Sequence, residues 1–195
     1  MFYIVGLGNP GDKYANTRHN VGWQALDLAL QAWNLPSLIE EKSSSGRTTE
    51  GKVGEEYVQV LYPDTYMNNS GSAVIKMVPK GEVSKLIVVH DDIDLPLGQV
   101  KVGKGRGAGG NNGIKSIIEK LGSKDFVRIR IGIAPKSFWT GEQQRPAGGG
   151  ALERFVLKPF GMLERGKLPE VYETARLAIE EVLKNGPEAA MNKYN

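Results

Sequence analysis

The sequence contains no cysteine, and this absence excludes several classes of site at once. Disulfide frameworks, thiolate zinc sites, iron–sulfur clusters and cysteine nucleophiles all need that side chain. A chain without cysteine suits a reducing compartment, so we expect a cytoplasmic location. Apolar residues never run for the roughly 18 positions that a membrane-spanning helix needs. The apolar start at 2–5 also lacks a preceding basic segment. We therefore expect neither a membrane anchor nor a secretion signal.

Neither sign of charge is in large excess, because 25 basic and 22 acidic side chains leave a net charge of +3. The stretch 101–130 nevertheless carries eight basic residues against Glu119 and Asp125. Such a stretch suits nucleic-acid phosphates, although a solvated basic surface has the same composition. Interspersed glycines supply backbone amides that can approach phosphates, which favours binding of nucleic acid.

The order of apolar patterns predicts the fold class. Short apolar runs predict strands that alternate with amphipathic helices, and two adjacent strands within 47–62 resemble a hairpin. The expected fold is α/β, with a mixed sheet flanked by helices. At this length we expect one domain over 1–195.

Two predicted strands end in polar residues. The strand at 2–7 leads towards Asn9, and the strand at 86–89 leads directly into His90 and Asp91. Ligands of such sheets collect at the carboxyl ends of parallel strands, so we expect these segments to form one site.

Histidine is scarce, and His19 is the better general-base candidate of the two in the chain. It lies in a polar segment before a predicted helix, and an imidazole pKa near 6.5 suits proton abstraction at neutral pH. A solvated loop histidine is the plain alternative. Convergence with Asp91 would instead give the ring an orienting partner. Strand alternation sends His90 to the face opposite Asp91, so we interpret His90 as structural.

Asparagine precedes three predicted helices, at Asn20, at 68–69 and at 111–112. N-capping explains one residue at each place. It leaves Asn68 and Asn112, whose carboxamides could hold a polar, uncharged substrate. Tyr66 and Met67 either pack in the core or offer an apolar face beside that substrate.

Other classes of site find less support. Residues 6–11 fit the pattern G-x-G-x-x-G of dinucleotide-binding proteins, but the next helix waits until Val21. A catalytic Ser-His-Asp triad is an open alternative, but the sequence lacks the G-x-S-x-G elbow that would support it. The acidic residues near Asp91 have no second cluster to complete a metal site.

Taken together, four ordered motifs within 6–113 resemble those of bacterial-type peptidyl-tRNA hydrolase. They read GLGNPG with TRHNVG, then YMNNSG, HDDIDLP and GGNNG. The resemblance implies a monomeric, single-domain α/β protein without cofactor or metal. It also implies hydrolysis of the ester between a peptide and the terminal ribose of tRNA, which frees tRNA and peptide. The alternative is a non-catalytic RNA-binding relative on the same scaffold.

The resemblance also implies roles for individual residues. His19 would be the base that activates water, Asp91 would orient it, and Asn9 would be a third catalytic side chain. The implied substrate-binding residues are Tyr14, Tyr66, Met67, Asn68 and Asn112. The implied contacts to tRNA phosphates, near the acceptor end and the 5′ phosphate, are Lys101, Lys104, Arg106, Lys115 and Arg130.

Three features depart from the family pattern. Asn111 replaces a histidine of the usual Gly-Gly-His-Asn-Gly motif, and a carboxamide does not titrate near neutral pH. Gly103 stands where many members carry a lysine that grips the 5′ phosphate. We expect that lysine to be replaced by Lys101, Lys104 or Arg106. The segment 137–150 is longer and richer in glycine than the usual lid over the peptide cleft, and we expect it to be flexible.

Overall fold

The computed structural model describes residues 1–135 and 149–195, which contain a seven-stranded sheet with helices on both faces. The strands are β1 (Phe2–Gly6), β2 (Ile39–Glu41), β3 (Gly46–Val53), β4 (Glu56–Pro63), β5 (Leu86–Pro96), β6 (Val100–Lys104) and β7 (Val127–Ala134). The α-helices are α1 (Val21–Ala32), α2 (Ser70–Met77), α3 (Asn112–Leu121), α4 (Gly150–Val156), α5 (Met162–Arg165) and α6 (Leu168–Tyr194). Short 3₁₀ turns occupy Asp12–Tyr14, Arg18–Asn20, Met67–Asn69 and Val83–Lys85.

The sheet has the order β2-β3-β4-β1-β5-β7-β6 and is mixed. β1 lies between β4 and β5 and is parallel to both, and β5 is also parallel to β7. β3 pairs antiparallel with β4, and β6 pairs antiparallel with β7. The predicted α/β sheet and its hairpin are therefore confirmed.

β5 is longer than the sequence pattern predicts. Its apolar run ends at Val89, but the strand continues to Pro96 and stays paired with β7 as far as Asp92. The register then shifts between Asp92 and Pro96. The expected end near Val89 was wrong because β7 supplies partners beyond the apolar run. Asp91 consequently lies within a hydrogen-bonded strand.

The two faces of the sheet carry separate apolar layers, as the alternation of side chains along a strand requires. Ile4 and Val89 pack with α1 and α6 on one face, whereas Val5 and Val88 pack with α2 and α3 on the other. The centre of the sheet is thereby covered on both sides, which explains the near-continuous apolar runs of β1 and early β5.

A glycine sets the position of α1. An ideal Cβ on Gly22 would lie 2.4 Å from the Val89 carbonyl oxygen and 2.8 Å from the Leu7 backbone nitrogen. Only a residue without a side chain lets the helix start so close to the end of β1 and to the first half of β5. The turn Arg18–Asn20, directly before α1, is therefore held close to the end of β1 and to β5.

The last helix is interrupted at Gly186, which has a positive φ of 85° and precedes Pro187. The break has a local cause, because Pro187 has no backbone N–H to continue the hydrogen bonding of a helix. Asn195 then pairs with the edge strand β6, because its side chain accepts a hydrogen bond from the Val102 backbone nitrogen and donates one to the Val102 carbonyl. Among the described helices, none has the length and hydropathy to cross a membrane.

The lid prediction for 137–150 falls outside the described residues, apart from Gly149 and Gly150. Gly149 precedes α4, and Gly150 is its first residue.

Candidate active site

A cavity of about 700 Å³ opens beyond the carboxyl end of β1 and beside residues 90–93 of β5. All eight predicted catalytic and substrate-binding residues line it. They are Asn9, Tyr14, His19, Tyr66, Met67, Asn68, Asp91 and Asn112. Residues more than a hundred positions apart in the sequence thus meet in one cavity. Its position agrees with the rule that ligands of such sheets bind where parallel strands end.

His19 and Asp91 form a hydrogen-bonded pair, with His19 Nδ1 2.9 Å from Asp91 Oδ2. Both side chains are largely buried, with exposures of 12% and 5%. Burial by itself lowers the pKa of His19, but the charge of Asp91 and its hydrogen bond outweigh burial and hold the pKa above its ordinary value of 6.5. When Nδ1–H donates to Asp91, Nε2 is the nitrogen free to accept a proton from water.

Arg18 fixes the turn that carries His19. Its buried guanidinium donates 2.8 Å to the Pro159 carbonyl and 2.6 Å to Glu164 Oε2. The same group lies over the ring of Phe155 at 4.3 Å. Sequence reasoning missed this role, because the partners lie about 140 residues further along the chain.

Asn20 fixes the Asn9 backbone. Its Oδ1 accepts from the Asn9 backbone nitrogen and its Nδ2 donates to the Asn9 carbonyl, both at 2.9 Å. The interpretation of Asn20 as an N-cap was wrong, because its side chain makes no capping bond to α1. Its carboxamide instead joins the loop after β1 to the turn before α1.

The Asn9 side chain is also fixed at one end. Its Oδ1 accepts a 2.8 Å hydrogen bond from the Met67 backbone nitrogen. Within the described part of the chain, Asn9 Nδ2 has no hydrogen-bond partner, and the residue lines the cavity. A donor with a fixed orientation therefore remains available to a ligand.

The turn Met67–Asn69 forms another wall. Met67 is buried, whereas Tyr66 is 59% exposed and meets Tyr14 edge to face, with ring centroids 6.5 Å apart. Asn68 is exposed at the cavity. Asn69 precedes α2 without a side-chain capping bond, so the capping interpretation was wrong here also.

At α3 the capping prediction is confirmed, with Asn111 as the cap. Its Oδ1 accepts hydrogen bonds from the backbone nitrogens of Gly113 and Ile114, at 3.0 and 3.1 Å. Its Nδ2 donates to Asp91 Oδ1 at 2.8 Å. Asn112 is exposed and lines the cavity. Sequence reasoning noted the departure at Asn111 but not its contact with Asp91.

His90 is buried, and its Nδ1 lies 2.7 Å from the Asp91 carbonyl oxygen, to which it donates. Burial lowers the pKa of His90 to about 4, so the ring is neutral at physiological pH. His90 is nevertheless among the residues that line the cavity. The expectation that strand alternation would keep His90 away from the site of Asp91 was wrong, because both residues line the same cavity.

Comparison with known proteins connects this geometry to a family. The model of the family described as peptidyl-tRNA hydrolase matches residues 3–195. The chain belongs to the peptidyl-tRNA hydrolase family. The peptidyl-tRNA hydrolase of Thermodesulfovibrio yellowstonii is 40% identical over 199 residues, which cover 100% of this chain and 99% of the relative. That of Thermosynechococcus vestitus is 41% identical over 194 residues, which cover 98% of this chain and 92% of the relative. The resemblance expected from the motifs is therefore confirmed.

A solved structure supports the fold. The crystal structure of peptidyl-tRNA hydrolase from Acinetobacter baumannii aligns with a TM-score of 0.85 and 27% identity. The alignment covers 100% of this chain and 94% of that one. The mixed sheet described above is thus the peptidyl-tRNA hydrolase fold.

The five basic residues predicted to contact tRNA phosphates differ from one another in their surroundings. Arg130 donates to Asp92 Oδ2 at 2.7 Å, and Lys104 lies 3.2 Å from Asp125. Lys101 is the cross-strand neighbour of Arg130. The two remaining residues, Arg106 and Lys115, are exposed.

Arg128 also belongs to the basic stretch, but it is buried and donates to the Gly107 carbonyl at 2.8 Å. It therefore supports the loop before α3 and does not contribute to the exposed basic surface. The roles of the other basic residues stay predictions.

Proposed function

We propose that this protein hydrolyses the ester bond between the peptide and the terminal ribose of peptidyl-tRNA, releasing free tRNA and peptide. The observation that carries the proposal is the His19–Asp91 pair, joined at 2.9 Å inside a cavity that Asn9 also lines. Membership of the peptidyl-tRNA hydrolase family supplies the substrate class.

In the proposed reaction, His19 Nε2 accepts a proton from a water molecule while the oxygen of that water attacks the ester carbonyl. Asp91 stabilises the imidazolium that forms, through the hydrogen bond to Nδ1. The tetrahedral intermediate then expels the ribose oxygen, which takes the proton from His19. The peptide leaves as a carboxylic acid, and the base is restored for the next turnover.

Carboxamides stabilise the developing oxyanion in this scheme. Asn9 suits that role best, because Met67 holds its Oδ1 and thereby aims its Nδ2. Asn68 and Asn112, both exposed at the cavity, are proposed to meet the first peptide bond of the substrate. Contacts to that bond would distinguish a peptidyl-tRNA from an unblocked aminoacyl-tRNA, which has none.

The tRNA is proposed to bind on both sides of this site. Tyr14 and Tyr66 present rings that can stack on the terminal base, and Met67 offers an apolar contact in the same cavity. The exposed and half-buried basic residues then contact the acceptor end and the 5′ phosphate. These residues are Lys101, Lys104, Arg106, Lys115 and Arg130.

We further propose that residues 1–195 act as one domain and as a monomer, in the cytoplasm where translation takes place. One copy of the chain supplies all eight proposed catalytic and substrate-binding side chains, so the site needs no residue from a second copy.

The deciding experiment compares purified protein on an N-blocked aminoacyl-tRNA and on its unblocked counterpart. We expect cleavage of the blocked substrate alone, and a loss of about 10²- to 10⁴-fold in His19→Ala. Asn16→Ala is the matched control, because Asn16 is an exposed residue of the same loop. Tight tRNA binding without cleavage would instead identify a non-catalytic RNA-binding relative.

A further inference from the structure

The two carboxylate oxygens of Asp91 have different partners. Oδ2 meets His19 Nδ1, whereas Oδ1 accepts from Asn111 Nδ2 at 2.8 Å. Asn111 Nδ2 also lies 3.3 Å from the Asp91 carbonyl oxygen, so the amide spans the side chain and backbone of the same residue. Asp91 is 4% exposed, and few water molecules can replace either contact.

The opposite end of the Asn111 amide is fixed by the start of α3. Its Oδ1 accepts from the Gly113 and Ile114 backbone nitrogens, and these N–H groups cannot pair with the NH₂ end. The carboxamide therefore has one orientation, with Nδ2 directed at Asp91. A cap that the sequence explains as ordinary helix chemistry here connects α3 to the middle of β5.

We infer that Asn111 is a positioning residue for the hydrolytic reaction, which holds the Asp91 carboxylate so that its other oxygen faces His19. The inference rests on the proposed function. A buried carboxylate with a single partner can rotate about its Cβ–Cγ bond, and a second donor on the other oxygen restricts that rotation. His19 then keeps its ring orientation because Asp91 keeps its own.

An amide performs this task without titrating. The titratable and charged groups around the pair are His19 on its turn, His90 and Asp92 on β5, Arg130 on β7 and Glu153 on α4. Asp92 is paired with Arg130, and His90 stays neutral at physiological pH. Of the described groups in contact with the Asp91 side chain, His19 is the one that titrates near neutral pH, so one ionisation sets the acidic limb of the pH profile.

Two substitutions distinguish the positioning role of Asn111 from its role as the cap of α3. Serine and aspartate are both good N-cap residues, so Asn111→Ser and Asn111→Asp preserve the start of α3. The serine hydroxyl is too short to reach Asp91 while it caps, and aspartate places an acceptor against an acceptor. Asn16→Ser and Asn16→Asp, made at the exposed loop residue, control for the residue change and for the added charge.

We expect kcat to fall by about 10- to 100-fold in both Asn111 variants, as for a misplaced catalytic group, while KM and the melting temperature change little. The imidazole signals provide a readout that needs no substrate, because the chain has two histidines. In Asn111→Asp the second carboxylate should raise the pKa of His19 measured by NMR and move the acidic limb of kcat/KM to higher pH. The Asn16 variants should show neither change.

Folded Asn111 variants with the parent kcat and the parent His19 titration would overturn the inference. Unfolding of both variants would assign Asn111 to the stability of α3 alone and would overturn it as well. If the parent protein hydrolyses no peptidyl-tRNA, the proposed function fails. The His19 titration still decides whether Asn111 controls the Asp91–His19 pair.

Discussion

Gly22 and Val89 approach so closely that a Cβ on the glycine would lie 2.4 Å from the Val89 carbonyl oxygen. This contact sets the distance between the His19 turn and β5, which carries Asp91 two positions after Val89. We expect Gly22→Ala to push α1 away from the sheet, lengthen the His19–Asp91 contact and lower kcat by about 100-fold. Overpacking of this kind also costs about 1–3 kcal/mol of stability.

The control for that prediction is Gly166→Ala, since Gly166 has a helical φ of −60° and its nearest neighbour would be 3.8 Å from a new Cβ. Its activity and melting temperature should match the parent. Measurement of kcat and thermal unfolding decides the matter, and a Gly22→Ala enzyme with parent kcat would show that the close contact does not position His19.

Arg18 should be needed as an arginine. Its guanidinium donates to two backbone carbonyls and to Glu164, and a lysine ammonium cannot reproduce that planar fork. We expect Arg18→Lys to lose about 2–3 kcal/mol of stability and to lower kcat, because the His19 turn loses its anchor on the segment after α4. Urea unfolding and kcat measure the two effects. Arg154→Lys, an exposed arginine of α4, should change neither quantity.

The fold follows from the sequence where apolar spacing is strong. Leu86 to Val89 forms the expected central strand, and Ile114 and Ile117 mark the buried face of α3. The continuation of β5 to Pro96 was not predictable from the run itself, because it depends on pairing with β7. Hydrophobic periodicity and β-propensity are local properties of the sequence, whereas the end of a strand depends on the strand that pairs with it.

In the candidate site, too, some features could be predicted from the sequence and others depend on contacts between distant residues. The motifs supplied the eight predicted residues that line the cavity, but not Leu152, Glu153 and Val156 of α4, which line it as well. Moreover, three asparagines that look alike before helices behave differently. Asn20 holds the Asn9 backbone, Asn69 makes no capping bond, and Asn111 caps α3 while it contacts Asp91. A carboxamide can donate and accept, so its role depends on partners that are distant in sequence. For that reason the spacing alone does not determine it.

The pair of His19 and Asp91 should make activity and stability respond oppositely to pH. The pKa of His19 lies above its ordinary 6.5, so kcat/KM should fall as the pH drops through that raised value and the base becomes protonated. The contribution of the charged pair to stability is complete below about pH 6.5, the unfolded value, and is lost as the pH rises through the folded pKa.

Asp91→Asn tests the cause of this behaviour. Without the carboxylate, burial alone acts on the ring, and the pKa of His19 should fall below its ordinary value. The acidic limb should then move to lower pH, while kcat falls because the imidazolium loses its partner. NMR titration of the two histidines gives the pKa directly. A pKa that stays raised in Asp91→Asn would mean that another group stabilises the charged ring.

Finally, binding of tRNA should depend on the basic surface in a way that salt reveals. Each cation that neutralises a phosphate contributes about 0.7–0.9 to the slope of log affinity against log salt concentration. We therefore expect Lys115→Ala and Arg130→Ala each to weaken tRNA binding and to lower the magnitude of that slope by about 1. Arg130→Ala should also abolish the preference for tRNA with a 5′ phosphate over tRNA without one.

Lys184→Ala is the control, because this exposed lysine lies on α6 at a separate pocket beside Trp33. Binding titrations at several salt concentrations measure the slopes, and equal slopes in all three variants and the parent would place the tRNA on another face.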